Sequence, residues 1–175
     1  LVEVDQAYIE FDPERDVARL LDAHSNLVVL RTMSNAFGLA GARCGFCLAH
    51  PDVGQALLKV MAPYPVPAPV ASLAHQALTQ SESMRSHVAV LNEQKLRVAD
   101  ALSAAGCPMV GGAHANFIQF RAPDKDGLFQ HLLAAGIVIR DQSHQPQLQG
   151  CLRVTIGSPE QNSRFIEALR GWSGL

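Results

Sequence analysis

Arg31-Thr32-Met33-Ser34-Asn35-Ala36-Phe37-Gly38-Leu39-Ala40-Gly41-Ala42-Arg43 is the stretch on which the reading of this chain turns. Before it, Asn26-Leu27-Val28-Val29-Leu30-Arg31 is a continuous apolar run of strand length, and after it residues 44–49 read as another strand. Continuous apolar strands suit a sheet covered on both faces. Between the two strands lie the hydroxyls of Thr32 and Ser34, the guanidinium of Arg43, and Gly38 and Gly41, which allow a tight backbone.

Outward from this stretch, Val2-Glu3-Val4-Asp5-Gln6-Ala7-Tyr8-Ile9 is expected to be a short strand ending in a polar turn. Pro51 opens a helix to about Met61, the prolines of 63–69 break the chain, and 68–78 returns to helix. Met84, Val88, Leu91, Val98 and Leu102 recur at helical spacing, which predicts a long amphipathic helix over 81–105 ended near Gly106. Strands are expected at 116–121, 137–140 and 151–156, and a helix at 126–135 stopped by Gly136. The last helix is well signalled, with Ser158 as N-cap, Pro159 at the first position and Gln161 completing a capping box; Gly171 ends it. The order implies an α/β fold: part of a large domain with a parallel-type sheet over 1–80, then a long linking helix and a small α+β domain over 81–175.

The chain has 175 residues, 48% of them hydrophobic and 17% charged, enough for a real core. A net charge of −2 gives no reason to expect nucleic acid or an anionic membrane as partner, and no apolar run approaches the length of a membrane span. The chain opens on Leu1 directly into strand-like sequence, so it is expected to be a piece of something longer. Cys44-Gly45-Phe46-Cys47 spells C-x-x-C. On a strand the two sulfurs point to opposite faces, so a packing role is expected and no metal site. Reduced thiols fit a cytoplasmic protein.

The run from Ser34 to Arg43 closely resembles the cofactor-lysine segment of aminotransferases that use pyridoxal 5'-phosphate (PLP). In that family the residue after the serine is the lysine that forms a Schiff base with the cofactor; this chain has Asn35 there. An amide nitrogen is neither basic nor nucleophilic enough to form an imine. Val4-Asp5-Gln6-Ala7-Tyr8 resembles the Asp-Glu-Ala-Tyr segment of the same family, with Gln6 for the usual glutamate. Ile139-Arg140-Asp141-Gln142 and Gly150-Cys151-Leu152-Arg153-Val154-Thr155-Ile156-Gly157 look most like the histidinol-phosphate aminotransferases of this group. Tyr8-Ile9-Glu10-Phe11, Met61-Ala62-Pro63-Tyr64-Pro65 and Asn116-Phe117-Ile118 resemble them too. The likeness runs over essentially all of the chain, yet matches only the second half of a family member.

The resemblance implies the PLP-dependent transferase fold type I and PLP as cofactor. By the same resemblance Asp5 pairs with the pyridinium nitrogen, Tyr8 with the phenolate oxygen, and Thr32, Ser34 and Arg43 with the cofactor phosphate. Arg153 would clamp a substrate carboxylate and Arg140 help bind a substrate phosphate. The implied activity is amino transfer between glutamate and imidazole acetol phosphate, a step of histidine biosynthesis, by a homodimer. With the lysine replaced and the N-terminal half missing, this chain is expected to be inactive alone, unless a complementary N-terminal half joins it. The alternatives are a non-catalytic binding or interaction module on the retained fold, or a relative of the PLP-dependent amino-acid-phosphate decarboxylases.

Overall fold

The computed structural model describes residues 1–172. The chain divides into two compact units, Leu1–Val88 and Ala89–Leu175.

The first unit is built on a three-stranded sheet of β1 (Val2–Asp5), β2 (Leu27–Thr32) and β3 (Gly45–Ala49), with β2 in the middle. β1 runs parallel to β2, Val2 opposite Leu27 and Asp5 opposite Leu30. β3 is antiparallel to β2, from Val28 opposite Ala49 to Thr32 opposite Gly45. The parallel-type expectation holds for β1 and β2, whereas β3 runs antiparallel because loop 33–44 holds no α-helix to carry a crossover and the chain turns back on its neighbour. Burial also falls short of a sheet covered on both faces. Leu27, Val28 and Val29 are buried, whereas most of β1 and β3 is exposed. β1 ends at Asp5, and residues 9–11, 13–15 and 18–20 form three short 3-10 turns. α1 (Pro51–Val60) and α2 (Ala68–Thr79) follow, neither with a buried residue.

α3 (Ser81–Ala104) runs through the boundary between the units. In the second unit an antiparallel sheet places β6 (Cys151–Thr155) between β4 (Phe117–Arg121) and β5 (Arg140–Asp141). α4 (Lys125–Ala134) and α5 (Pro159–Arg170) complete it. The core joins Val98 and Leu102 of α3, Phe120 of β4, Leu128 and Leu132 of α4, Leu152 of β6, and Phe165 and Leu169 of α5. Truncating one of these to alanine costs about 2–5 kcal/mol.

α5 carries the expected capping box, Ser158 accepting from the Gln161 N–H and Gln161 from the Ser158 N–H. α4 begins one residue earlier than expected because Asp124 caps it, its Oδ1 accepting from the Gly127 N–H at 3.0 Å. The strand expected at 137–140 shrinks to two residues. The Ile137 N–H turns back to Leu132 O at 2.9 Å to close α4 through Gly136 (φ 72°), so the chain meets β6 only at Arg140.

Candidate active site

In the first unit the predicted residues sit on two connections at the end of the sheet, the turn after β1 and the loop between β2 and β3. Asp5 is the last residue of β1 and is exposed; its Oδ1 accepts the Ala7 N–H at 2.9 Å, which leaves Oδ2 for another donor. Tyr8 is half-buried and heads the first 3-10 turn. Asn35 donates through Nδ2 to Ala7 O at 2.7 Å. That bond ties the loop after β2 to the segment carrying Asp5 and Tyr8.

Thr32 and Ser34 are joined directly. The Ser34 N–H donates to Thr32 Oγ1 at 3.1 Å, and Thr32 Oγ1 donates to Ser34 Oγ at 2.8 Å. A serine hydroxyl that accepts from threonine keeps its own proton for a further acceptor. Arg43 is exposed and holds Ala40 O at 3.2 Å through Nη1. Its φ of 53° is left-handed, a conformation glycine favours. Gly38 needs its freedom, at φ 67°; Gly41 has ordinary backbone and open space around it, so the tight turn rests on Gly38. Beside this loop a cavity of about 380 Å³ is lined by Asn35, Phe37, Gln80, Met84 and His87.

A charged cluster behind the turn was not foreseen. Arg31 Nη2 donates to Asp16 Oδ1 at 2.7 Å and to Gln6 Oε1 at 3.2 Å, while Gln6 Nε2 reaches Arg15 O at 3.2 Å. Buried Gln6 thus anchors the turn that follows Asp5. Burial alone would raise Asp16, but the Ala18 N–H and the Arg31 guanidinium outweigh it and hold the carboxyl below its ordinary value. Glu10 moves the other way. Burial pushes it up against the pull of a backbone N–H and Arg31, and its Oε2 is buried without a hydrogen-bond partner. The apolar spacing around Arg31 gave no sign of this cluster; an arginine at the end of a buried strand was the available signal.

The cysteine expectation is corrected in part. Cys107 and Cys151 are buried, but Cys44 precedes β3 and Cys47 is exposed on it, so Cys47 does not pack a core.

In the second unit Arg140 of β5 stands directly opposite Arg153 of β6. Like charges paired across a sheet repel unless an anion lies between them. Arg153 packs its guanidinium over the Phe117 ring, 4.6 Å from the centroid, and its Nε is buried with no hydrogen-bond partner. Beside it Lys125 bonds Asp141 at 2.7 Å; this and the Ser143 contacts hold Asp141 at about 2. Asp141 is thereby engaged with Lys125 and Ser143.

These donors fit a phosphate and a carboxylate, and the Asp5 carboxylate fits a protonated ring nitrogen. The fit to PLP is non-covalent only, since Asn35 offers an amide already bonded to the backbone.

A family model described as aminotransferase class I and II matches residues 1–169. The histidinol-phosphate aminotransferase of Pseudoalteromonas atlantica is 49% identical over 97% of this chain and 46% of its own length. Among solved structures, the histidinol-phosphate aminotransferase of Clostridium acetobutylicum superposes with a TM-score of 0.89 at 24% identity, over 97% of this chain and 53% of that one. That of Sinorhizobium meliloti, in complex with pyridoxal-5'-phosphate, gives 0.84 at 22%, over 98% and 49%. The chain spans about half the length of the curated relatives it matches.

Proposed function

From a chain that belongs to the class I and II aminotransferase family, we infer a histidinol-phosphate aminotransferase-type protein that holds PLP without a covalent bond and does not transaminate by itself. Its fold is the PLP-dependent transferase fold type I, represented by part of the large domain and the small domain. The observation that supports the reading is the bond from Asn35 to Ala7, which engages the side-chain amide of Asn35 with the Asp5–Tyr8 segment.

PLP, when bound, supplies an electron sink for the carbanion formed at the substrate carbon. This chain's residues would do the rest of the holding. The open Oδ2 of Asp5 accepts from the ring nitrogen and keeps it protonated, and the Tyr8 hydroxyl serves the phenolate oxygen. Thr32 orients the Ser34 hydroxyl toward the phosphate, and Arg43 adds two charge-assisted donors. Arg153, braced on Phe117, takes the substrate carboxylate, and Arg140 the substrate phosphate. What is missing is a base at position 35 to move the proton between carbons, a loss that commonly lowers rates by many powers of ten. The substrates in this reading are glutamate and imidazole acetol phosphate, in a cytoplasmic homodimer.

The test is an absorbance titration of the purified chain with PLP, before and after borohydride, alongside Asn35→Lys. The expected result is a shifted cofactor band that reduction fixes to residue 35 only in the lysine variant, located by peptide mass. A cofactor band in the unaltered chain that borohydride fixes to Lys59, Lys95 or Lys125 overturns the proposal. No band in either protein, together with no binding of glutamate or phosphate at Arg140 and Arg153, favours a non-catalytic module; Asn35 is the feature that keeps that second reading alive.

A further inference from the structure

Where β5 stops pairing with β6, a slot of about 300 Å³ opens in the second unit. The pairing joins Arg140 to Arg153 and Asp141 to Leu152. Carried on, that register would set Val138 opposite Thr155 and exchange their backbone hydrogen bonds. No backbone bond joins them among the described residues, and Val138 is 81% exposed. The two chains separate instead, leaving main-chain groups of Val138 and Thr155 along the rim.

The inner walls are apolar, while Thr155, Gln161 and Arg164 add polar groups to the lining. Ile139, Val154 and Phe165 line the slot and are themselves 8%, 6% and 3% exposed, so its inner end is part of the packed core. At the rim stands Arg164, its Nη2 only 3.9 Å from where a Cβ on Gly136 would sit. Arg164 has no hydrogen-bond or ion-pair partner among the described residues, and no carboxylate lines the slot. Side chains alternate along a strand, so Ile139 and Val154 face away from Arg140 and Arg153. The slot therefore lies on the other face of the sheet from the arginine pair.

We propose that this slot is a binding site for a small organic carboxylate with a compact apolar body. The anion is taken by Arg164 and by main-chain N–H groups at the parted edge, and the body by Ile139, Val154 and Phe165. Three features select this class of ligand. The cation without a partner calls for an anion, and the apolar inner end for a branched or ring body. The closed end at Arg140–Arg153 stops an extended peptide from threading through. At about 30 Å³ for each water-sized group, the space suits roughly ten non-hydrogen atoms.

The experiment uses the full chain, 15N-labelled, titrated with 4-methylpentanoate and, as the uncharged control, 4-methylpentanamide. The expected result is saturable shifts at the Val138, Ile139 and Thr155 amides with the acid alone. Arg164→Gln should weaken binding about tenfold or more, and Arg164→Lys should recover part of it. Arg164 is exposed, so neither change disturbs the fold; Thr155→Pro, which removes a rim N–H, gives a second line of test. Saturable binding by the acid that is unchanged in Arg164→Gln, equal shifts from the amide, shifts confined to Arg140 and Arg153, or no saturable shift at all each overturn the proposal. None of these outcomes depends on whether PLP binds the first unit.

Discussion

Asn35 and Ala7 are joined by a 2.7 Å hydrogen bond from the side-chain amide to the main-chain carbonyl. The bond links the loop after β2 to the turn after β1 and makes residue 35 a structural tie between them. Asn35→Ala should lower stability by about 1 kcal/mol. Asn35→Asp, which sets a carboxylate oxygen against the carbonyl, should cost roughly 1–3 kcal/mol at neutral pH. Urea unfolding of the three proteins checks the order; equal midpoints would show that the tie carries no stability.

Glu10 sits among Gln6, Asp16 and Arg31 with one oxygen buried and unbonded, and burial pushes its pKa above 4.5. A raised carboxyl penalises the folded state above its folded pKa and ceases to do so below the unfolded value. Glu10→Gln should therefore be more stable than the unaltered chain at pH 7, with the difference closing as the pH falls through the range just above 4.5. Melting temperatures of both proteins between pH 4 and 8 measure this, and parallel curves would refute it.

Asp141 and Asp16 run the other way. Lys125 and Ser143 hold Asp141 at about 2, and Asp16 also lies below its ordinary 3.8. Their contribution is present above the unfolded pKa and is lost as pH falls toward 2. Acid unfolding of Asp141→Asn should converge on the unaltered chain only below about pH 2, where both side chains are neutral. A gap that persists there would mean the Lys125 contact is not electrostatic.

Arg140 and Arg153 stand directly opposite each other across β5 and β6. Arg140→Gln should raise stability by roughly 0.2–1 kcal/mol at low ionic strength, a gain that fades with neutral salt. The same variant should lose much of the thermal stabilisation that inorganic phosphate gives the unaltered chain. If phosphate protects both equally, the pair is not an anion site.

Local signals proved readable where one residue type has one job. The capping box at Ser158 and Gln161, Pro51 at the head of α1, and the helical spacing from Val88 to Leu102 all mark what the structure contains. The resemblance of residues 34–43 and 4–8 led to a family that the whole chain bears out. Elements failed where pairing decides. Residues 137–139 are as strand-like as any, yet Gly136 and the bond from Ile137 to Leu132 draw them away from β6. β3 is apolar enough for a buried strand but lies at the edge of its sheet, with Cys47 exposed. The Gln6–Arg31–Asp16 cluster joins residues far apart in sequence, and no spacing rule announces such a contact.

Arg43 sets a backbone preference against a side-chain one. An arginine at φ 53° holds a shape that glycine takes with about 1 kcal/mol less strain. In a library of random variants kept only for folding, glycine should therefore spread at this position while Asn35, bonded to Ala7, is retained. In a library kept for holding a phosphate, arginine should persist against that pull. Passing generations under the two regimes would separate at residue 43 first, and the speed of that separation gauges how strongly the guanidinium is still used.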